Sequence, residues 1–188
     1  KKEDALFKVL REYIKQSKKI RFEGDGYSRE WEEEAARRGL SNHKTTPEAL
    51  TENISPKALA LFEEMGVLSR VELEARYEIA LEEYVKTIQI ESRVLGDIAR
   101  NHVVPTAVRY QNTLIENVRG LKEIFAENYQ EVASEQIDLI QRISRHIKEI
   151  HTNVEAMIQA RKQANALPTF EEKAHAYCHQ VKAFFDPI

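Results

Sequence analysis

Residues 134–165 read SEQIDLIQRISRHIKEIHTNVEAMIQARKQAN. Ile140, Ile143, Ile147, Ile150, Val154 and Met157 alternate spacings of three and four, the period of a coiled-coil seam. A helix over the whole stretch is about 48 Å long at the usual rise per residue. Leu167-Pro168 breaks it, because proline has no N–H to donate and its ring clashes with the preceding turn. Thr169 and Glu172 have the spacing of a capping box. They open a last helix that runs to about residue 185 and is ended by Asp186-Pro187.

The same signals recur upstream. Ser69 and Glu72 form another capping box, and the helical pattern after it continues for about 33 residues. Leu73, Tyr77, Leu81, Tyr84, Ile88, Leu95 and Ile98 fall on one stripe, with Glu91 in its gap. Pro105 is expected to kink or break the helix. The pattern resumes through Leu114, Val118, Leu121 and Phe125, and a polar turn follows at 128–134. Ser55-Pro56 starts a shorter helix that Gly66 ends. Ala5, Leu6, Val9, Leu10, Tyr13 and Ile14 predict an amphipathic helix over residues 3–20. Residues 40–54 read as a polar loop with one short helical turn at 47–50, and no stretch predicts a strand. The fold expected is all-α: an elongated antiparallel bundle of long helices, with smaller N-terminal helices. The organisational boundary separates 1–54 from 55–188.

The 188 residues are 42% hydrophobic and carry a formal net charge of −3, enough apolar material for a core. Charges of both signs are interleaved, which fits a solvated helical surface and not a nucleic-acid-binding face. No apolar run approaches the roughly 20 residues of a membrane helix, and there is no signal-peptide pattern. One cysteine, Cys178, excludes an internal disulfide and fits a reducing, cytoplasmic compartment. A chain that begins at Lys1 in place of Met is expected to be a piece of a longer protein.

Three constellations invite a chemical reading. Gly24-Asp25-Gly26 runs into a helix capped by Ser28 and ended by Gly39, the layout of a phosphate cradle. It lacks the Lys-Ser/Thr pair of a Walker loop and the third glycine of a dinucleotide fingerprint. Glu30, Glu32, Glu33 and Glu34 would repel an anion, so the glycines read as a tight turn with positive φ. His175, Cys178 and His179 share a helix face with metal-ligand spacing, but no second cluster supplies a fourth ligand. They read as flanking a packed face of Tyr177, Val181 and Phe184. His146 and His151, near Arg142, Arg145 and Lys148, read as a solvated basic face.

Residues 24–42, GDGYSREWEEEAARRGLSN, resemble the end of the catalytic region of type III glutamine synthetases, the large bacterial form. Gly24, Gly26, Tyr27, Ser28, Trp31, Glu34, Ala35, Arg38, Gly39, Leu40 and Asn42 carry the resemblance. Residues 76–111, RYEIALEEYVKTIQIESRVLGDIARNHVVPTAVRYQ, are similar to the family's C-terminal helical extension. The resemblance implies that 1–54 is the tail of the catalytic domain and 55–188 the extension. It implies a parent enzyme that makes glutamine from glutamate, ammonia and ATP with magnesium or manganese. The metal-ligating carboxylates and histidine, and the arginines for phosphate, would then lie upstream. No catalytic, cofactor-binding or metal-ligating residue is assigned within 1–188. The implied partners are the upstream catalytic domain of the same chain and sibling subunits in stacked hexameric rings, with no nucleic acid and no membrane. The expected role is assembly, stability or regulation. The alternative is a free-standing helical module that binds a partner through its apolar seam. A helical-bundle metalloenzyme needs paired Glu-x-x-His sets, and only Glu172 with His175 makes one; Glu149 stands two positions from His151.

Overall fold

The computed structural model describes residues 2–188, with side chains from Asp4 onward. All regular structure among them is helical, and the chain divides into two compact units between Lys44 and Thr45.

The first unit holds α1 (Lys2–Gln16), a 3-10 turn (Ser17–Ile20) and α2 (Arg29–Arg37). Leu6, Phe7, Val9, Leu10, Tyr13 and Ile14 are all at least half exposed, so the predicted apolar face of α1 forms but stays uncovered. Ser28 caps α2 by accepting from the Trp31 N–H. At the other end Gly39 has φ 70°, and the Leu40 and Gly39 N–H groups donate to Ala35 and Ala36 carbonyls. That is a Schellman ending, and it requires a residue without a Cβ penalty. Gly24 and Gly26 differ from expectation: neither has positive φ. Gly24 is instead a close-approach site, where an added Cβ would stand 2.6 Å from Cζ of Phe22.

The second unit begins with α3 (Thr46–Thr51), a 3-10 turn (Glu52–Ile54) and α4 (Pro56–Glu64). Leu50 and Ile54, grouped with the N-terminal segment on sequence grounds, pack against the core of this unit. Ser55 caps α4 at the Ala58 N–H, and Gly66, at φ 63°, repeats the Schellman ending. The long helices follow: α5 (Arg70–Ile98), α6 (Val104–Phe125), a short α7 (Tyr129–Val132) and α8 (Ser134–Asn165). Both predicted capping boxes, Ser69/Glu72 and Thr169/Glu172, are formed.

Pro105 does not break the α5–α6 helix. The backbone widens into a π-turn over Ala99–Val103, with the Val104 N–H reaching the Ala99 carbonyl. One extra residue in the ladder places proline where no donor is required of it, at the start of α6. Three cross-links fix the direction of α8: Gln89 to Asn165, Arg100 to Glu155 and Gln111 to Ser144. As one partner's number rises the other's falls, so α8 runs antiparallel along α5 and then α6.

The buried stripe of α5 differs from the predicted one. It runs through Leu73, Tyr77, Leu81, Val85, Ile88, Ser92 and Gly96, and on to Ala99. Tyr84 and Leu95 are only half-buried, while Glu91 and Ile98 are exposed. Counting large apolar residues passes over Ser92 and Gly96, yet close helix approach selects small residues there. An added Cβ at Gly96 would touch Val154 Cγ1 at 3.4 Å and Met157 Cε at 3.5 Å. Ser92 can be buried because its hydroxyl donates to the Gln89 carbonyl at 2.9 Å.

The last helix is also less regular than expected. α9 (Phe170–Ala176) passes into a second π-turn (Tyr177–Val181) and a 3-10 turn (Lys182–Phe184). Tyr177 and Val181 are fully buried there, beside Leu81, Met157 and Ala164, and this is the centre of the core.

Candidate functional sites

The Gly-Asp-Gly turn is knitted to itself. Asp25 accepts from the Tyr27 N–H through Oδ1 at 2.9 Å, and its carbonyl accepts from the Ser28 N–H and hydroxyl. Such Asx turns set a helix start without any ligand. The glutamates after it are engaged with cations: Glu32 with Lys44, Glu33 with Arg29, and Glu34 with both Arg37 and Arg38. These hydrogen bonds, that from Arg38 foremost, hold the Glu34 carboxyl below its ordinary range. Arg38 also donates to the carbonyls of Lys19 and Arg21 and lies 5.9 Å from the centre of the Trp31 ring. Trp31 in turn packs on Phe22, with ring centroids 4.8 Å apart. The turn, the clasp and the aromatic pair form one joint that ties the end of α1 to α2. Acidic side chains surround the N-terminus of α2, which is the wrong charge for a phosphate.

His175 and His179 stack with centroids 6.0 Å apart, and His179 Nε2 lies 3.8 Å from Glu48 Oε1. Cys178 turns toward the hydroxyl of Tyr84. Burial, and then the hydrogen bond to Cys178, push the Tyr84 phenol well above its ordinary value. Among the described residues no three His, Cys, Asp or Glu side chains converge as a metal site would require. Glu172 is occupied by its cap on Thr169, and Glu149 sits 3.0 Å from Nδ1 of His146. Arg142 and Arg145 share an open groove with Glu135 and Asp138, so that face is mixed in charge. Among the described residues no helix is long and apolar enough to cross a membrane.

The profile of the family described as "Glutamine synthetase C-terminal domain" matches residues 5–122, well over half of the chain. The chain belongs to this family. A glutamine synthetase of Bacteroides fragilis is 46% identical over all 188 residues, which make up 26% of that protein's length. A type-3 glutamine synthetase of Dictyostelium discoideum is 41% identical over 120 residues, 64% of this chain and 16% of its own length. A glutamine synthetase of Butyrivibrio fibrisolvens is 29% identical over 185 residues, 98% of this chain and 26% of its own. The chain thus spans about a quarter or less of these relatives, and it is a glutamine synthetase C-terminal domain by the family it matches.

One feature of this glutamine synthetase C-terminal domain carries no sequence signal. Gln89, Asn165 and Tyr177 form a closed polar triangle at the rim of the core, where buried Tyr177 meets half-buried Gln89 and exposed Asn165. Gln89 Nε2 donates to Asn165 Oδ1 (3.2 Å) and to the Tyr177 oxygen (3.1 Å), and the Tyr177 hydroxyl donates to Asn165 Oδ1 (2.8 Å). The three residues are 76, 88 and 12 positions apart. Together they pin α5, α8 and the C-terminal π-turn to one register.

Proposed function

We propose that the chain is the non-catalytic helical region of a type III glutamine synthetase. The parent enzyme would ligate ammonia to glutamate with ATP and magnesium or manganese, in the cytoplasm. The observation that carries this reading is the match of the chain over its full length to about a quarter of a larger glutamine synthetase. The type-3 name of the Dictyostelium relative supports the subtype. The helical region would serve assembly, stability or regulation. Its upstream partner would be the catalytic domain of the same chain, and its lateral partners sibling subunits of stacked hexameric rings. Support for surfaces of that kind comes from the uncovered apolar face of α1 and from the exposed Ile124, Phe125 and Val132 around the α6–α7 turn.

Light scattering of the full enzyme with and without residues 55–188 tests the role. A smaller assembly, or one that dissociates at lower protein concentration, is expected on deletion; an unchanged oligomer with unchanged activity overturns the role. The 188-residue chain alone is expected to show no ATP-dependent formation of glutamine, and turnover by it would overturn the non-catalytic reading.

A further inference from the structure

α5, the first π-turn and α8 enclose a groove of about 270 Å³, into which Arg93, Arg100 and Arg161 all border. Arg93, Gly96, Asp97 and Arg100 are spaced by three and four, so the helix puts them on one face. Arg161 comes from the antiparallel α8. Nothing in the local sequence joins it to the other two.

The hydrogen-bond ledger of this groove is lopsided. Its acids are already partnered: Asp97 accepts from Asn101 Nδ2 at 2.6 Å, and Glu155 at its edge accepts from Arg100 Nη2 at 2.9 Å and from Gln159. Those bonds from Gln159 and Arg100 hold the Glu155 carboxyl below its ordinary range. The donors are not. Nε of Arg100 is buried without a partner, and Arg93 and Arg161 make no hydrogen bond or ion pair among the described residues. A buried guanidinium nitrogen with nothing to donate to is destabilising unless something supplies an acceptor. The floor, Ser92 and Gly96, is made of small residues and leaves room above it. Arg100 itself lies in the π-turn, a distortion that recurs at functional sites.

We propose that this groove binds an oxyanion, a phosphate or carboxylate group, held by the forks of Arg93, Arg100 and Arg161. Arginine offers paired donors that match either group's oxygens. The volume falls just below the usual range for drug-sized ligands, roughly 300–1,000 Å³, which fits one anionic group and not a nucleotide. The anion comes either as a free small molecule or as the acidic side chain of a docked segment. The proposal stands independently of the chain's place in a ligase.

The test is titration of the intact chain at constant ionic strength, with inorganic phosphate and succinate in one arm and a blocked oligo-glutamate peptide in the other. Saturable binding is expected in at least one arm. Phosphate or succinate binding identifies a free anion, and binding of the peptide alone identifies an acidic segment. The R93Q/R161Q variant is expected to weaken that binding at least tenfold, whereas R142Q/R145Q, on the mixed groove of α8, leaves it unchanged. Arg→Gln keeps much of the aliphatic stem; if the double variant loses its helical circular dichroism, R93Q, on an exposed side chain, carries the test with an expected loss of at least threefold. No saturable binding in either arm, or equal weakening by the R142Q/R145Q pair, overturns the proposal.

Discussion

At one end of the second unit, α5 and α8 are joined by α9 and the residues that follow it. At the other end, α6 and α8 run side by side as a pair. The same helix α8 passes through both. Its Val154 and Met157 are fully buried at the three-element end, while Ile140, Ile143, Ile147 and Ile150 are only half-buried against α6. α6 contributes two buried residues, Val104 and Leu114, where α5 contributes seven. One uninterrupted apolar seam therefore has two energetic characters. A two-helix hairpin can cover only part of each stripe, whereas a third element closes the sides that a pair leaves open.

The comparison is broken most directly by truncating a core side chain at each end. Tyr177→Ala empties the centre of the three-element end and is expected to cost about 3–5 kcal/mol in urea unfolding. Ile147→Ala in the pair should cost about half as much, since the site is already partly open to water; equal losses would dissolve the distinction. The next contrast concerns phenols. Tyr177→Phe removes the two bonds of the triangle that involve the phenol, leaves Gln89 bonded to Asn165, and should cost about 1 kcal/mol. Tyr77→Phe should be neutral or slightly stabilising, because the buried Tyr77 hydroxyl has no partner among the described residues. Glycines sharpen the point further. Gly96→Leu forces a side chain against Val154 and Met157 and is expected to lose about 1–3 kcal/mol. Gly120→Ala in α6 meets nothing within 4 Å and should gain up to about 1 kcal/mol from helix propensity.

The smallest expected effect lies in the first unit, outside both ends. Glu34 has its carboxyl lowered by Arg38 and Arg37, so its clasp contributes stability above the ordinary value near 4.5 and loses it as pH falls through the lower folded value. Trp31, the one tryptophan, reports on this joint. Acid titration of its fluorescence should show a transition below pH 4.5 that Glu34→Gln removes. A transition unchanged in the variant would assign it to other carboxylates.

The capped helix starts were legible from the residues, whereas α1 and α9 end earlier than read and the short α7 lies in the stretch read as a polar turn. Ser28, Ser55, Ser69 and Thr169 all cap as read, and α8 has the bounds its period suggests. Glu172 closes its box for the same reason that Glu72 does: the partners are three residues apart. The misread positions share a different cause. Pro105 signalled an interruption, but its form, a π-turn, depended on α5 and α6 both staying packed on α8. Gly24 signalled a turn, but its role is to admit the Phe22 ring. Tyr84 and Leu95 look like core by hydropathy, and Val85, Ser92 and Gly96 take the buried side because α8 lies there. The arginine groove was invisible, because Arg161 stands 61 positions from Arg100 and an unpartnered donor has no signature in one dimension.

By itself the sequence determined where the capped helices start and where the long α8 stops, because capping, helix propensity and proline's missing donor all act within about four residues. Only the tertiary structure decided which face of α5 is inside, where a third element deepens the core, and which arginines are left with donors to spare. Those outcomes depend on the distance between backbones that meet from far apart in the chain, and hydrophobic spacing along one helix carries no record of its neighbour.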